Sequence, residues 1–178
     1  MSYRLLEKQQ IYSGKKIHLE VHRLQDENGR ITQREVCVHP GAVVILAFMD
    51  DGQILLIQNR RYSIGQLLIE LPAGTLEKGE DPMNCAGREL LEETGYLAGR
   101  LKPIASFYSS PGVLTEKLHA FAAYDLQKGH TALEEDEEIQ VMPTPFEKAV
   151  EMIRGGQIQD AKTIATLLLF DRFKRTGS

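Results

Sequence analysis

Residues 17–25, IHLEVHRLQ, alternate apolar and polar side chains in the period of a strand with one buried face. Asp26-Glu27-Asn28-Gly29 follows with an Asn-Gly hairpin signal, and residues 30–38, RITQREVCV, return as a second strand. After His39-Pro40-Gly41, the run AVVILAFM is apolar at every position, as in a strand buried on both faces. Asp50-Asp51-Gly52 then turns the chain into QILLIQNR, and shorter strands are predicted at 67–71, 101–109, 117–125 and 138–142. Three helices are punctuated more sharply. Asp81-Pro82 reads as an N-cap followed by a first-turn proline and Gly95 as the terminating glycine, which predicts a helix over 82–94. Thr144-Pro145-Phe146-Glu147 reads as a capping box with proline in the first turn, opening a helix that stops at Gly155-Gly156. Asp160 caps a last helix, AKTIATLLLFDRFKR, with its basic residues in the final turn. No repeat, low-complexity tract or linker interrupts the pattern, so one mixed α/β domain with a strand-rich N-terminal half is predicted.

Composition narrows the function classes. A chain of 178 residues with 42% hydrophobic residues is long enough to bury a core, and its net charge of -4 gives no basic footprint for nucleic acid or an anionic membrane. The apolar runs GAVVILAF and IATLLLF fall well short of the about 20 residues a spanning helix needs. The N-terminus, MSYRLLEKQQ, has no apolar signal core, and Cys37 and Cys85 form no metal-like spacing. The expectation is a soluble cytoplasmic protein without a nucleic-acid or membrane partner.

The segment GRELLEETGY, Gly87 to Tyr96, places three glutamates within five residues. On a helical wheel at about 100° per residue with Ala86 at zero, Leu90 and Met83 mark the apolar side near +40° and +60°. Glu93 falls near −20° and Glu89 near −60° on that wheel, at the edge of the apolar side, with Glu92 and Arg88 near −120° and −160°. An ordinary solvated face would put Lys or Arg four residues after each glutamate, but Glu93 follows Glu89 and Tyr96 follows Glu92. Only Arg88 stands one turn before Glu92. Converging hard oxygen ligands without His or Cys suit Mg²⁺ or Mn²⁺ rather than Zn²⁺. The preceding stretch, ELPAGTLEKGE, brings more carboxylates to the helix entrance, and Gly74 is expected to adopt a backbone conformation barred to other residues, freeing the Ala73 carbonyl to turn toward a cation.

Gly74, Glu80, Arg88, Glu89, Leu90, Glu92, Glu93 and Gly95 fill the Nudix box pattern with every spacing right; Tyr96 stands where an aliphatic residue is common. The chain therefore resembles the Nudix hydrolases. SGKKIHLEV, HPGAVVILAF, QNR ahead of ELPAG, SSPGVLTE with Pro111, and EEDEEIQV extend the likeness to the ADP-ribose pyrophosphatase subgroup. The SQPWPFPxS block of NADH-cleaving relatives, zinc-ribbon cysteine pairs and a helix-turn-helix extension are all absent from the sequence. The resemblance implies an α/β fold of α+β type, an α/β/α sandwich on a mixed sheet. It also implies an N-terminal antiparallel β-arm over 1–40 that exchanges strands across a homodimer, ahead of a hydrolase domain over 41–178.

The same resemblance implies roles for individual residues. Glu89 and Glu93 hold two or three Mg²⁺ ions, or Mn²⁺, with the Ala73 carbonyl; Glu92 is a further ligand or a partner of Arg88. Arg88 and Glu80 brace the motif, as do Gly74 and Gly95. Within Glu134–Glu138, Glu135 is expected as general base and Glu137 as an added metal ligand. Arg60, with Arg61 as rival, is expected on the diphosphate, where a guanidinium suits bidentate binding. Glu116 matches a contact to the terminal ribose. With no Trp in the chain, Tyr12, Phe107, Tyr108 or Arg34 is left to stack on the base. The implied activity is hydrolysis of ADP-ribose to AMP and ribose 5-phosphate. The alternatives are another nucleoside diphosphate sugar, such as GDP-mannose or ADP-glucose, or a non-catalytic module that senses ADP-ribose.

Overall fold

A computed structural model describes residues 2–15, 17–130 and 138–174 of the chain. It divides into two compact units, one formed by Met1–Gly41 with Tyr108–Lys117 and the other by Ala42–Phe107 with Leu118–Ser178.

The first unit is a three-stranded antiparallel sheet of β1 (Tyr3–Ser13), β2 (His18–Asp26) and β3 (Ile31–Val38), in that order. The Asn-Gly turn joins β2 and β3: Gly29 takes the left-handed conformation at φ 78°, and its N–H donates to the Asp26 carbonyl at 3.1 Å. Strand β1 is exposed along its whole length, with Tyr3, Leu5, Ile11 and Tyr12 among the exposed apolar residues.

The second unit contains β4 (Ala42–Ala47), β5 (Gln53–Arg61), β6 (Gln66–Glu70), β7 (Ala73–Thr75), α1 (Pro82–Thr94), β8 (Tyr96–Tyr108), β9 (Lys117–Lys128), β10 (Ile139–Pro145), α2 (Phe146–Arg154) and α3 (Ala161–Leu169). Strands β7, β4, β9 and β8 form a four-stranded sheet in that order, mixed because β4 runs parallel to β9 and antiparallel to β7. Strands β10, β5 and β6 form a separate antiparallel sheet. Every residue of β4 is buried. Val43, Ile45 and Ala47 join a core with Cys85, Ala86 and Leu90 of α1. Val44 and Leu46 point into the opposite core with Phe146, Ala149 and Met152 of α2 and Leu167 of α3. The alternation of a strand thus fills two cores, and the helices complete the α/β/α arrangement.

Three local expectations need correction. Strand β8 begins at Tyr96 rather than 101. Helix α2 has no side-chain cap: Pro145 occupies the N-cap, and the Thr144 hydroxyl donates to the Met142 carbonyl at 3.0 Å. Helix α3 ends at Leu169, and Phe170–Lys174 continue as a π-helical turn, so the basic residues fall beyond the α-helix.

Candidate active site

Helix α1 keeps the bounds its punctuation predicts. Asp81 accepts hydrogen bonds from the Met83 and Asn84 backbone N–H groups, Pro82 opens the first turn, and Gly95 closes the last at φ 74°. Burial of Cys85, Ala86 and Leu90 fixes which face meets the sheet, and Glu93 goes in with them, only 3% exposed. Its carboxylate accepts the Ala73 N–H at 2.9 Å, tying α1 to β7.

Glu89 lies over the neighbouring residue of that strand. A Cβ built on Gly74 would stand 1.7 Å from Glu89 Cδ and 2.0 and 2.1 Å from its two oxygens. Gly74 is not among the positive-φ glycines, so the backbone here is not one that only glycine could adopt, contrary to that part of the expectation. Glycine serves here by omitting a side chain, which leaves a cradle for the carboxylate.

Arg88 settles much of the charge on the helix. Its Nε and Nη2 donate to the two oxygens of Glu80 at 3.0 Å each, and its Nη1 reaches Glu92 at 2.9 Å and Glu89 at 2.8 Å. The hydrogen bond from Arg88 outweighs partial burial and holds the Glu80 carboxyl at about 2, while the Arg88 guanidinium is raised by the same contact. Burial pushes the Cys85 thiol up to about 12, so it stays protonated and inert. Glu92 therefore faces the arginine frame, Glu89 is shared between that frame and Gly74, and Glu93 binds Ala73, so Glu89 and Glu93 converge on β7.

A second charged group, unnoticed as a unit in the sequence, flanks this site. Glu70, fully buried at the end of β6, is bound by Arg61 Nε and Nη2 at 2.7 and 2.6 Å and by Lys162 Nζ at 2.5 Å. Burial opposes its ionisation, but Arg61 and Lys162 prevail and hold its carboxyl below the usual value. Arg61 also lies within electrostatic reach of Glu93. Arg60, on the other side of β5, pairs with exposed Glu138 at 3.2 Å. The only hint of this network in the sequence was a lone carboxylate ending the apolar run QLLIE.

The remaining predicted residues are placed as follows. In the N-terminal unit, Arg34 donates to Thr32 Oγ1 and the Gln33 carbonyl, both at 2.9 Å, and Glu116 stands 3.6 Å from His39 Nδ1. Tyr12 and Tyr108 are exposed, while Phe107 packs against the core of the second unit. Glu135 and Glu137 lie outside the described residues.

Among the described residues, no group of three or more His, Cys, Asp or Glu side chains is arranged to hold a metal ion. Two carboxylates beside a cradle that a Cβ would fill, with the Cys85 thiol near them kept protonated by burial, nevertheless fit a hard cation rather than a thiophilic one.

Comparison with known proteins adds independent findings. A model of the NUDIX domain matches residues 38–167. An ADP-ribose pyrophosphatase of Bacillus subtilis (strain 168) is 43% identical over 158 residues, covering 88% of this chain and 85% of the relative. A methanol dehydrogenase activator of Bacillus methanolicus is 37% identical over the same shares. A GDP-mannose pyrophosphatase of Salmonella paratyphi B is 35% identical, covering 81% of each chain. The crystal structure of an ADP compounds hydrolase superposes with a TM-score of 0.87 at 20% identity, over 98% of this chain and 95% of that one, and shows the shared fold.

Proposed function

Because the chain belongs to the Nudix hydrolase family, we propose that it cleaves the diphosphate of ADP-ribose to give AMP and ribose 5-phosphate. The observation that carries this reading is the convergence of Glu89 and Glu93 on Ala73 and Gly74, in a chain 43% identical to an ADP-ribose pyrophosphatase. Enzymes of this family generally use divalent metals. Glu89, Glu93 and the Ala73 carbonyl would hold Mg²⁺, or Mn²⁺, as two or three ions, with Glu137 as a further ligand. Such ions, when bound, activate water and neutralise the diphosphate oxygens.

The protein's own groups divide the remaining work. Glu135 takes the proton of the attacking water. Arg88, bridging Glu80, Glu89 and Glu92, keeps the helix carboxylates in register before a cation arrives. Glu92 acts through Arg88. The two arginines of β5 separate by position: Arg61, braced by Glu70 and near Glu93, serves the reacting phosphate, and Arg60, exposed beside Glu138, serves the rim. Glu116 accepts from the terminal ribose, and Tyr12, Tyr108 or Arg34 stacks on the base.

The same proposal includes a cytoplasmic homodimer with exchange of the N-terminal strands. Supporting it are two free cysteines and the exposed apolar side chains along β1; no helix among the described residues is long and apolar enough to cross a membrane.

A panel of ADP-ribose, GDP-mannose, ADP-glucose and NADH, each with Mg²⁺ and with products identified, tests the substrate. ADP-ribose is expected to give the highest kcat/KM. A preference for GDP-mannose moves the assignment toward the GDP-mannose pyrophosphatase relative, and no turnover of any compound leaves only a binding module.

A further inference from the structure

We propose that Lys162, at the N-terminal end of α3, is a positioning residue for the carboxylate site, acting through Glu70 on the segment from Glu70 to Ala73; this inference rests on the metal-dependent reading above. Leu71 and Pro72 lie between β6 and β7, outside any strand ladder, yet each residue from Glu70 to Ala73 is anchored. The Glu70 carboxylate is held by Arg61 of β5 and Lys162 of α3. The Leu71 N–H donates to Thr163 Oγ1 at 2.8 Å, the Pro72 carbonyl accepts the Ile45 N–H at 2.8 Å, and the Ala73 N–H donates to Glu93 at 2.9 Å. Four consecutive residues are thus tied at four different groups by β5, β4, α1 and α3.

Lys162 joins the two halves of the α3 anchor. Its Nζ binds Glu70 at 2.5 Å and Asp160 Oδ1 at 3.0 Å. The other Asp160 oxygen accepts the Thr163 hydroxyl at 2.6 Å, which orients that hydroxyl's oxygen toward the Leu71 N–H. A fully buried carboxylate needs its charge balanced and its lone pairs occupied. Without Lys162, Glu70 is held from the β5 side alone and Asp160 loses its cation. The segment then keeps only the Leu71–Thr163 bond to α3, the Glu70 end shifts toward Arg61, and Ala73 and the Glu93 carboxylate shift with it. Groups that orient ligands from behind set cation affinity as well as geometry.

The test compares Lys162→Met, which keeps the stem and removes the charge, with Lys162→Arg, which restores a cation. Mn²⁺ binding is followed by EPR without substrate, alongside the Mg²⁺ dependence of the rate. Lys162→Met is expected to weaken Mn²⁺ binding by about tenfold or more. The Mg²⁺ concentration for half-maximal rate rises in proportion, and KM at saturating Mg²⁺ stays as in the wild type. Lys162→Arg recovers most of the binding. A Lys162→Met protein with a lower Tm but wild-type Mn²⁺ binding overturns the proposal and makes the lysine a structural residue only. Should Lys162→Met fail to fold, Lys162→Gln keeps a donor for Glu70 without the charge; it is expected to weaken Mn²⁺ binding in the same direction, and unchanged binding overturns the proposal. A wild-type protein that binds Mn²⁺ but cleaves no diphosphate refutes the hydrolase reading, while the binding comparison still decides the role of Lys162.

Discussion

Replacing Gly74 with alanine isolates the cradle from the fold. The added Cβ would lie 1.7 Å from Glu89 Cδ, where ordinary contact begins at 3.4 Å, so the carboxylate must withdraw by about 1.7 Å. It can do so because it ends a flexible side chain, and the Gly74 backbone lies outside the left-handed region. Alanine therefore fits the backbone, and its lower unfolded-state entropy offsets part of the local crowding, keeping the change in stability within about 1 kcal/mol. In a chain of this size that is a shift of about 2–4 °C in Tm, measured in EDTA. The effect on the site is far larger. Metal–ligand distances tolerate about 0.2 Å, and a misplacement of about 1 Å typically costs 100-fold in rate. Gly74→Ala is thus expected to stay within about 2–4 °C of the wild-type Tm in EDTA, to lose most of the Mg²⁺-induced rise in Tm, and to lose about 100-fold or more in kcat/KM. Wild-type Mg²⁺ dependence in the variant would refute the cradle; collapse of the fold in EDTA would show that glycine is needed for the backbone after all.

Three further outcomes follow from the same geometry. Arg61→Met is expected to lower kcat and Arg60→Met mainly to raise KM; the reverse pattern in steady-state kinetics contradicts the assignment of inner and rim arginines. The Glu80 carboxyl is depressed from 4.5 to about 2 in the folded chain, so its contribution to stability is full above the unfolded value and is lost as pH falls toward 2. Urea unfolding should therefore show the gap between wild type and Glu80→Gln narrowing in acid; a gap independent of pH would refute the Arg88 contact as its source. Light scattering of the full chain is expected to give a dimer, and a monomer at assay concentration would sink strand exchange.

Where local chemistry determines structure, the sequence was legible. Asp81, Pro82 and Gly95 bound α1 because capping and the left-handed terminator are decided within one turn. The continuous apolar run of β4 announced a strand between two cores, and the wheel put Glu93 at the edge of the buried face, which the structure carries to full enclosure. What could not be read depends on distant contacts. The partners Glu70 and Lys162 are 92 positions apart, and no periodicity relates them. Glycine at position 74 suggests a backbone reason in the sequence, whereas its reason lies across the fold in Glu89. Thr144-Pro145 met a capping pattern, but the hydroxyl found a nearer carbonyl in its own strand. Arg88 shows the intermediate case: its link to Glu92 follows from helical spacing, while its pairing with Glu80 needs the loop to fold back.

Glu93→Gln tests the account most directly, because glutamine keeps the shape and an oxygen for the Ala73 N–H while it removes the negative charge and turns the other oxygen into NH₂. With ADP-ribose and Mg²⁺, the variant is expected to show no measurable formation of AMP while its Tm in EDTA matches or exceeds that of the wild type. AMP formation at a near-normal rate would contradict the central claim that this buried carboxylate holds the cation for catalysis.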